Sequence, residues 1–188
     1  MNKEYTIIGN FDLKSGVLRI SDPSYDKNVL SAQVLDNCRT GEWEAAACYI
    51  PDGWGHRVSI LAARNVASGA KFSMLDNIDE GSAELEDFDD LIGVDAGMAG
   101  IFDDSVYGLD NAFKGWPEPV TQFSNLPGAK WFGHCCDALD NSDQAGIFPF
   151  GVVSHSGFGD GAYEGFYHTG EDGKIDLVAV VFVYDDEV

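Results

Sequence analysis

The longest apolar run in this chain, Leu177–Tyr184, has the length of a single strand. It falls well short of the ~18 apolar residues that a membrane-spanning helix needs. The remaining apolar segments are shorter and are divided by turn residues, glycine above all. YTIIG (5–9) and VLRI (17–20) flank Gly16, and WEAAACYI (43–50) and HRVSILAARN (56–65) flank PDGWG. In the last of these, His56, Val58, Ile60 and Ala62 alternate with Arg57, Ser59, Leu61 and Ala63. That period of two predicts a strand in a hairpin with 43–50, although the alanines of 43–50 also suit a short helix. IGV and AGIF flank a glycine turn within 92–104, where Gly97 and Gly100 permit positive φ or close backbone approach. FPFGVVS (148–154), AYEGFYHT (162–169) and KIDLVAVVFVY (174–184) read as three further strands, the last two joined by a tight turn at GEDG. Short helices are predicted within 104–114 and 129–140, the second placing Trp131, Cys135 and Leu139 on one face. The three prolines of GWPEPVTQFSNLPG (115–128) predict an irregular segment between them. The expectation is an α+β, mainly β, single β-rich domain spanning 1–188, a sandwich or partly open barrel with one or two short helices.

With 188 residues, 45% apolar and 12% aromatic, the chain can bury a core. Against 32 acidic residues there are 11 basic ones, a net charge of -21. That balance argues against nucleic-acid binding, which needs a basic stripe, and an anionic membrane surface would repel it. It favours cations or basic proteins as partners, or simply keeps the chain dissolved. Residues 76–90 hold eight acids and no base (Asp76, Asp79, Glu80, Glu84, Glu86, Asp87, Asp89 and Asp90). Such a block reads as an exposed loop with at most one helical turn, either a patch for a cationic partner or a solvated connector. No cationic head with a long apolar run opens the chain. Cys38, Cys48, Cys135 and Cys136 then read as reduced thiols in a cytoplasmic protein.

Three aspartate loops carry the candidate chemistry: Asp22 in SDPSYD, Asp95 in GVDAGMAG with Asp103 and Asp104 nearby, and Asp160 in SGFGDG. Each adjoins a predicted strand end. Converging, they would form an oxygen-rich cluster with Ser154 and Ser156, suited as a metal site to Ca²⁺ or Mg²⁺ at Asp22, Asp95 and Asp160. Taken singly, each loop is also explained by turn chemistry. His155 and Asp160 are the candidate catalytic pair for hydrolysis, and a hairpin bringing His168 beside His155 would add a second acid–base group. HCC (134–136) lacks the spacing of a zinc site. There is no G-x-S-x-G nucleophile elbow and no phosphate loop. Of the four tryptophans, Trp54 in the PDGWG turn is a candidate for ligand stacking and for core packing alike.

DPSY (22–25), VDAGMAGIFD (94–103) and SGFGDGAY (156–163) occur in an order that resembles a family of uncharacterised bacterial and phage proteins with DPxY, VDxGxxGxFD and SGxGDGxY motifs. The resemblance spans nearly the whole chain. It implies a shared site at Asp22, Tyr25, Asp95, Gly97, Ser156, Gly157, Asp160, Gly161 and Tyr163, and no particular activity. Ser24 stands where some members carry Cys, which removes a thiol role at that position.

Three readings follow. The first is a domain that binds a small polar ligand or a divalent cation at the Asp/Gly/Ser loops, with hydrolysis as the candidate reaction. The second is a non-enzymatic acidic inhibitor of immunity or phage anti-defence type that occupies a basic protein partner. The third is a structural or accessory protein whose Gly-Asp motifs only shape turns.

Overall fold

The computed structural model describes residues 3–29, 31–53, 55–78 and 82–185. Two antiparallel sheets hold β1 (Tyr5–Leu13), β2 (Leu18–Ser21), β3 (Gln33–Leu35), β4 (Gly41–Asp52), β5 (Gly55–Asn65), β6 (Glu86–Asp87), β7 (Ile92–Val94), β8 (Met98–Asp103), β9 (Ala145–Phe148), β10 (Gly151–His155), β11 (Gly161–Thr169) and β12 (Ile175–Val181). The first sheet has the order β1-β4-β5-β12-β11-β6, with β7 also paired to β11, and the second β3-β2-β8-β10-β9. The one α-helix among the described residues, α1, spans Ala129–Asp137. The chain is mainly β, as the turn spacing predicts, and the sheets do not close into a barrel.

The sheets face each other across one core, and each outer face is covered as well. In β12, Val178 and Val180 point into the central core, while Leu177, Ala179 and Val181 meet Phe72, Leu75 and Ile78 of the segment laid over the outer face. In the second sheet, Ile101 and Val152 point inward, while Phe102 and Val153 meet Trp131, Cys135 and Leu139 on and just beyond α1. Burial on both faces accounts for the unbroken apolar stretch of β12, because neither side of the strand needs to be polar. The 43–50 segment is strand, not helix: its alanines alternate between the two cores, with Ala45 and Ala47 inward and Ala46 outward.

Several expectations need correction. Residues 76–90 are not simply a solvated loop: Ile78 and Phe88 are buried, and Glu86–Asp87 pairs with Phe166 and Tyr167 at the sheet edge. Burial of two apolar side chains anchors the acidic segment, whereas the notional repulsion is relieved by solvent on its other side. Asp79, Glu80 and Trp54 lie outside the described residues. The 104–114 region forms only a 3-10 turn at Asp110–Phe113. Phe148 does not open the strand expected over 148–154: it ends β9, which pairs as a hairpin with β10 from Gly151.

The chain leaves the first sheet after β1 and enters the second at β2, so the crossover at 14–17 needs an anchor. Asp103 provides it. This buried carboxylate accepts hydrogen bonds from the amides of Lys14 (2.8 Å), Ser15 (3.1 Å) and Ser105 (2.9 Å) and from Ser105 Oγ (2.6 Å). Burial pushes its pKa up, but the bonds from Ser105 and Ser15 outweigh that and hold it below the usual carboxylate value. A depressed folded pKa means a contribution that is complete above the unfolded value of about 4 and is lost as pH falls through the folded one. Urea unfolding between pH 7 and 3 is therefore expected to show an acid limb below about pH 4 that becomes shallower in Asp103→Asn. An acid limb identical in the variant would remove this role.

Candidate functional site

Strand register brings the three motif loops together. Ser21 at the end of β2 pairs with Gly100, and His155 at the end of β10 pairs with Met98, so both strands finish at the start of β8. On the other sheet, β7 pairs with β11 through Val94 and Gly161. Asp22, Asp95 and Asp160 are each the residue just beyond one of these ends.

The three aspartates do different work. Asp22 is fully buried. Its Oδ2 accepts from the amides of Asp95 (2.8 Å) and Ala96 (2.7 Å), and its Oδ1 from the amide of Ser24 (2.8 Å). It is a clamp between loops rather than a ligand-facing group. Asp95 and Asp160 are exposed. Tyr25 donates its hydroxyl proton to Asp95 Oδ2 at 2.7 Å. Its phenol is pushed well up by burial, then by the Asp95 hydrogen bond and by the charges of Asp95, Asp22 and Asp160. Tyr107 braces this loop from below, with its hydroxyl 2.7 Å from the Asp22 carbonyl and 2.9 Å from that of Tyr25.

The glycine-rich loop is held by its own polar side chains. Ser154 Oγ donates to the His155 carbonyl (3.0 Å) and Ser156 Oγ to the Gly159 carbonyl (2.8 Å); both serines are buried. Tyr163 donates to the carbonyls of Gly159 (2.6 Å) and Ser156 (3.1 Å). Asp22, Ser154, Ser156 and Tyr163, expected to contact ligand, therefore position backbone instead. Gly157 has φ +55° and a Cβ there would lie 2.7 Å from Val183 Cγ2, so it too is a packing position. Gly97 and the exposed Gly161 sit on the rim itself. The Ser156 amide donates to the Gly97 carbonyl (3.1 Å), and His155 Nδ1 lies 3.3 Å from the same oxygen. A carbonyl only accepts, so Nδ1 is the donor in this contact.

Beside this rim lies a cavity of about 480 Å³. Its walls include Gly97, His155 and Phe158 together with Arg57, Asn141 and Gln144. The Arg57 guanidinium lies 5.1 Å from the centroid of the Phe158 ring and donates to the Gly157 carbonyl (3.3 Å). Phe158 is 63% exposed, unusual for a phenylalanine between two glycines. An aromatic side chain inside SGFGDG was a signal available in the sequence. Arg57, Asn141 and Gln144 had none, because their nearness depends on how β5 and the loop before β9 meet.

Other expectations are not met. His168 does not join His155. It bonds through Nδ1 to the buried Asp176 Oδ1 at 2.6 Å, on the other sheet. It sits seven residues along β11 from Gly161, roughly 23 Å at ~3.3 Å per residue. Asp103 and Asp104 lie at the opposite end of β8 from Asp95. The metal trio of Asp22, Asp95 and Asp160 does not form: among the described residues, no group of three or more His, Cys, Asp or Glu side chains is placed to hold an ion. The physical reason is that the Asp22 carboxylate is fully buried against three backbone amides, whereas Asp95 and Asp160 are exposed. His134 stacks on Phe113 with ring centroids 4.0 Å apart, and burial pushes the Cys135 thiol up, so HCC is packing.

Among the described residues no helix is long and apolar enough to cross a membrane. Comparison of the chain with protein-family models, with curated proteins and with solved structures finds no match.

Proposed function

We propose that the rim of Tyr25, Asp95, Asp160 and His155 binds a small polar organic ligand in the adjoining cavity. The observation that carries this reading is the Tyr25–Asp95 hydrogen bond, held in place by the buried Asp22 clamp at the meeting point of three loops. The exposed carboxylates suit N–H or O–H donors on the ligand. Arg57 suits an acceptor or an anionic group on its other end. A bare divalent cation is a poorer fit, since the Asp22 carboxylate is fully buried against three backbone amides. His155, through Nε2, and Asp160 are the groups able to take a proton from water, so hydrolysis is the reaction class this rim supports. Four unpaired cysteines favour a cytoplasmic setting.

The test is thermal unfolding and calorimetry against nucleotides, sugar phosphates, amino acids and polyamines. A ligand at a hundred times its Kd stabilises by about 2.7 kcal/mol. At least one member is expected to raise the unfolding midpoint, and Asp95→Asn and Asp160→Asn should each weaken it about tenfold. Silence across the panel, or undiminished binding in the double variant, counts against the proposal.

A second reading rests on a different place. Asp87, Asp89, Asp90 and Glu164 frame a cavity of about 320 Å³ floored by Phe88 and Phe166. An acidic opening over aromatic rings suits a lysine or arginine from a basic protein, as an immunity or anti-defence inhibitor would require. Capture from host lysate should then fall with salt and with neutralisation of Asp87, Asp89 and Asp90. Salt-insensitive or absent capture speaks against this second role.

A further inference from the structure

The cavity of about 480 Å³ beside the rim has one wall that the fold does not account for. Its amide side chains are tied to backbone. Asn141 Nδ2 donates to the carbonyls of Ala138 (2.7 Å) and Ala145 (2.9 Å), and its Oδ1 accepts from the Asp143 amide (2.8 Å). Gln144 Nε2 donates to the His56 carbonyl (2.8 Å). These groups hold the loop before β9 in place. The Phe158 ring does no comparable work. It lines the same cavity, is exposed, and packs in no apolar cluster of the described residues.

The loop tip that carries this ring is fixed on both sides. On one side the Gly157 carbonyl accepts from Arg57 (3.3 Å), and a Cβ on Gly157 would have no room beside Val183 and Phe182. On the other, the Gly159 amide donates to the Ser156 carbonyl (2.8 Å), while its carbonyl accepts from Ser156 Oγ (2.8 Å) and Tyr163 (2.6 Å). The Arg57 guanidinium lies over one face of the Phe158 ring, so the exposed area is the other face and the edge. A flat apolar face is thus held still at the wall of a cavity. The loop is ordered before any ligand arrives, so a planar group can stack there without having to immobilise it.

We infer that the ligand of this cavity carries a planar heterocyclic ring, and that Phe158 selects it by stacking, with the polar substituents of the ligand turned toward His155 and Asp140. This rests on the proposal that the cavity takes a small polar ligand, and it adds the class of that ligand. Nucleosides are simple members of the class. They offer a base to Phe158 and hydroxyls to the polar walls, and being uncharged they are not repelled by a chain of net charge -21.

Adenosine and cytidine are suitable probes, with ribose, which has the hydroxyls without the base, as their control, all measured by calorimetry. At least one nucleoside is expected to bind roughly tenfold more tightly than ribose, or better, which is the ordinary effect of stacking one base on an aromatic side chain. Phe158→Leu keeps an apolar side chain but removes the flat face, and should weaken that nucleoside about tenfold. Phe158→Tyr keeps the face and should stay within about twofold of the parent. Because the ring is exposed, both variants should retain the parent's unfolding midpoint. Asp95→Asn and Asp160→Asn act on any ligand of the rim, whereas Phe158→Leu should act on ring-bearing ligands alone, so the two proposals fail separately. Ribose binding as tightly as the nucleosides, or nucleoside binding unaffected by Phe158→Leu, would overturn the stacking role while leaving the rim as a ligand site. Failure of both nucleosides to bind would overturn it as well, and only silence across the whole ligand panel would remove the rim with it.

Discussion

Replacing Asp22 with alanine is expected to lower the unfolding free energy by about 3 kcal/mol, since the hydrogen bonds a buried carboxylate accepts are worth ~1.5–3 kcal/mol each before relaxation. The substitution removes one acceptor group from three amides at once, those of Ser24, Asp95 and Ala96. Water can reach some of them after relaxation, which keeps the loss below the simple sum. Asp22→Asn should recover only part of it, because its NH₂ would face an amide N–H. Asp95→Ala is the informative comparison. It changes the same residue type within the same cluster, but on the exposed side, and should cost no more than about 1 kcal/mol. Urea denaturation of the three variants provides the measurement. Equal losses for Asp22→Ala and Asp95→Ala would show that no clamp exists. The Asp22 variants are also expected to blunt ligand binding at the rim, since Tyr25 and Asp95 are aligned through that carboxylate.

The second large effect is expected at Gly100, in the middle of β8. A Cβ there would lie 2.3 Å from Phe102 Cζ and 2.6 Å from the Val152 carbonyl oxygen. The Phe102 ring is fully buried and lies over the bare backbone of its own strand, in contact with Trp131 on the other side. An alanine must therefore push Phe102 into the α1 layer or push β10 away. Gly100→Ala is expected to destabilise by about 3 kcal/mol, the upper end for overpacking, and to weaken the near-ultraviolet signal of the aromatic cluster. In a Phe102→Leu background the same change should cost less, because the ring contact is gone while the Val152 contact stays. A loss below ~0.5 kcal/mol, the range of neutral surface changes, would refute this packing account.

These two residues show how far a motif can be read. In VDAGMAGIFD, residues 94–103, nothing in the letters separates positions that support the fold from those that face solvent. The structure assigns Asp95 to the rim, Gly100 and Phe102 to ring-over-backbone packing, and Asp103 to the crossover between sheets. The expectation that Gly100 permits close backbone approach was the right physical idea, with a side chain two residues on as the close neighbour. Asp22, Asp95 and Asp160 all sit in Gly- or Pro-containing loops, yet one is buried against three amides and two are exposed. Ser154 and Ser156 looked like ligand groups because hydroxyls beside glycines and a histidine suit a site. Their burial, which turns them toward carbonyls, depends on the opposite sheet.

Local chemistry was enough to establish a mainly β chain: alternation on 56–65, the GEDG turn between β11 and β12, and the apolar face of α1 all follow from neighbours within a few residues, where side-chain direction and turn geometry act. Which sheet each strand joins was settled only in three dimensions. β7 and β8 are separated by a single turn yet belong to different pairings, as do β1 and β2, because burial of both faces of each sheet rewards contacts between residues far apart in the chain. The meeting of Tyr25 with Asp95, seventy residues on, is a product of that long-range register, and so are the roles of the carboxylates around it.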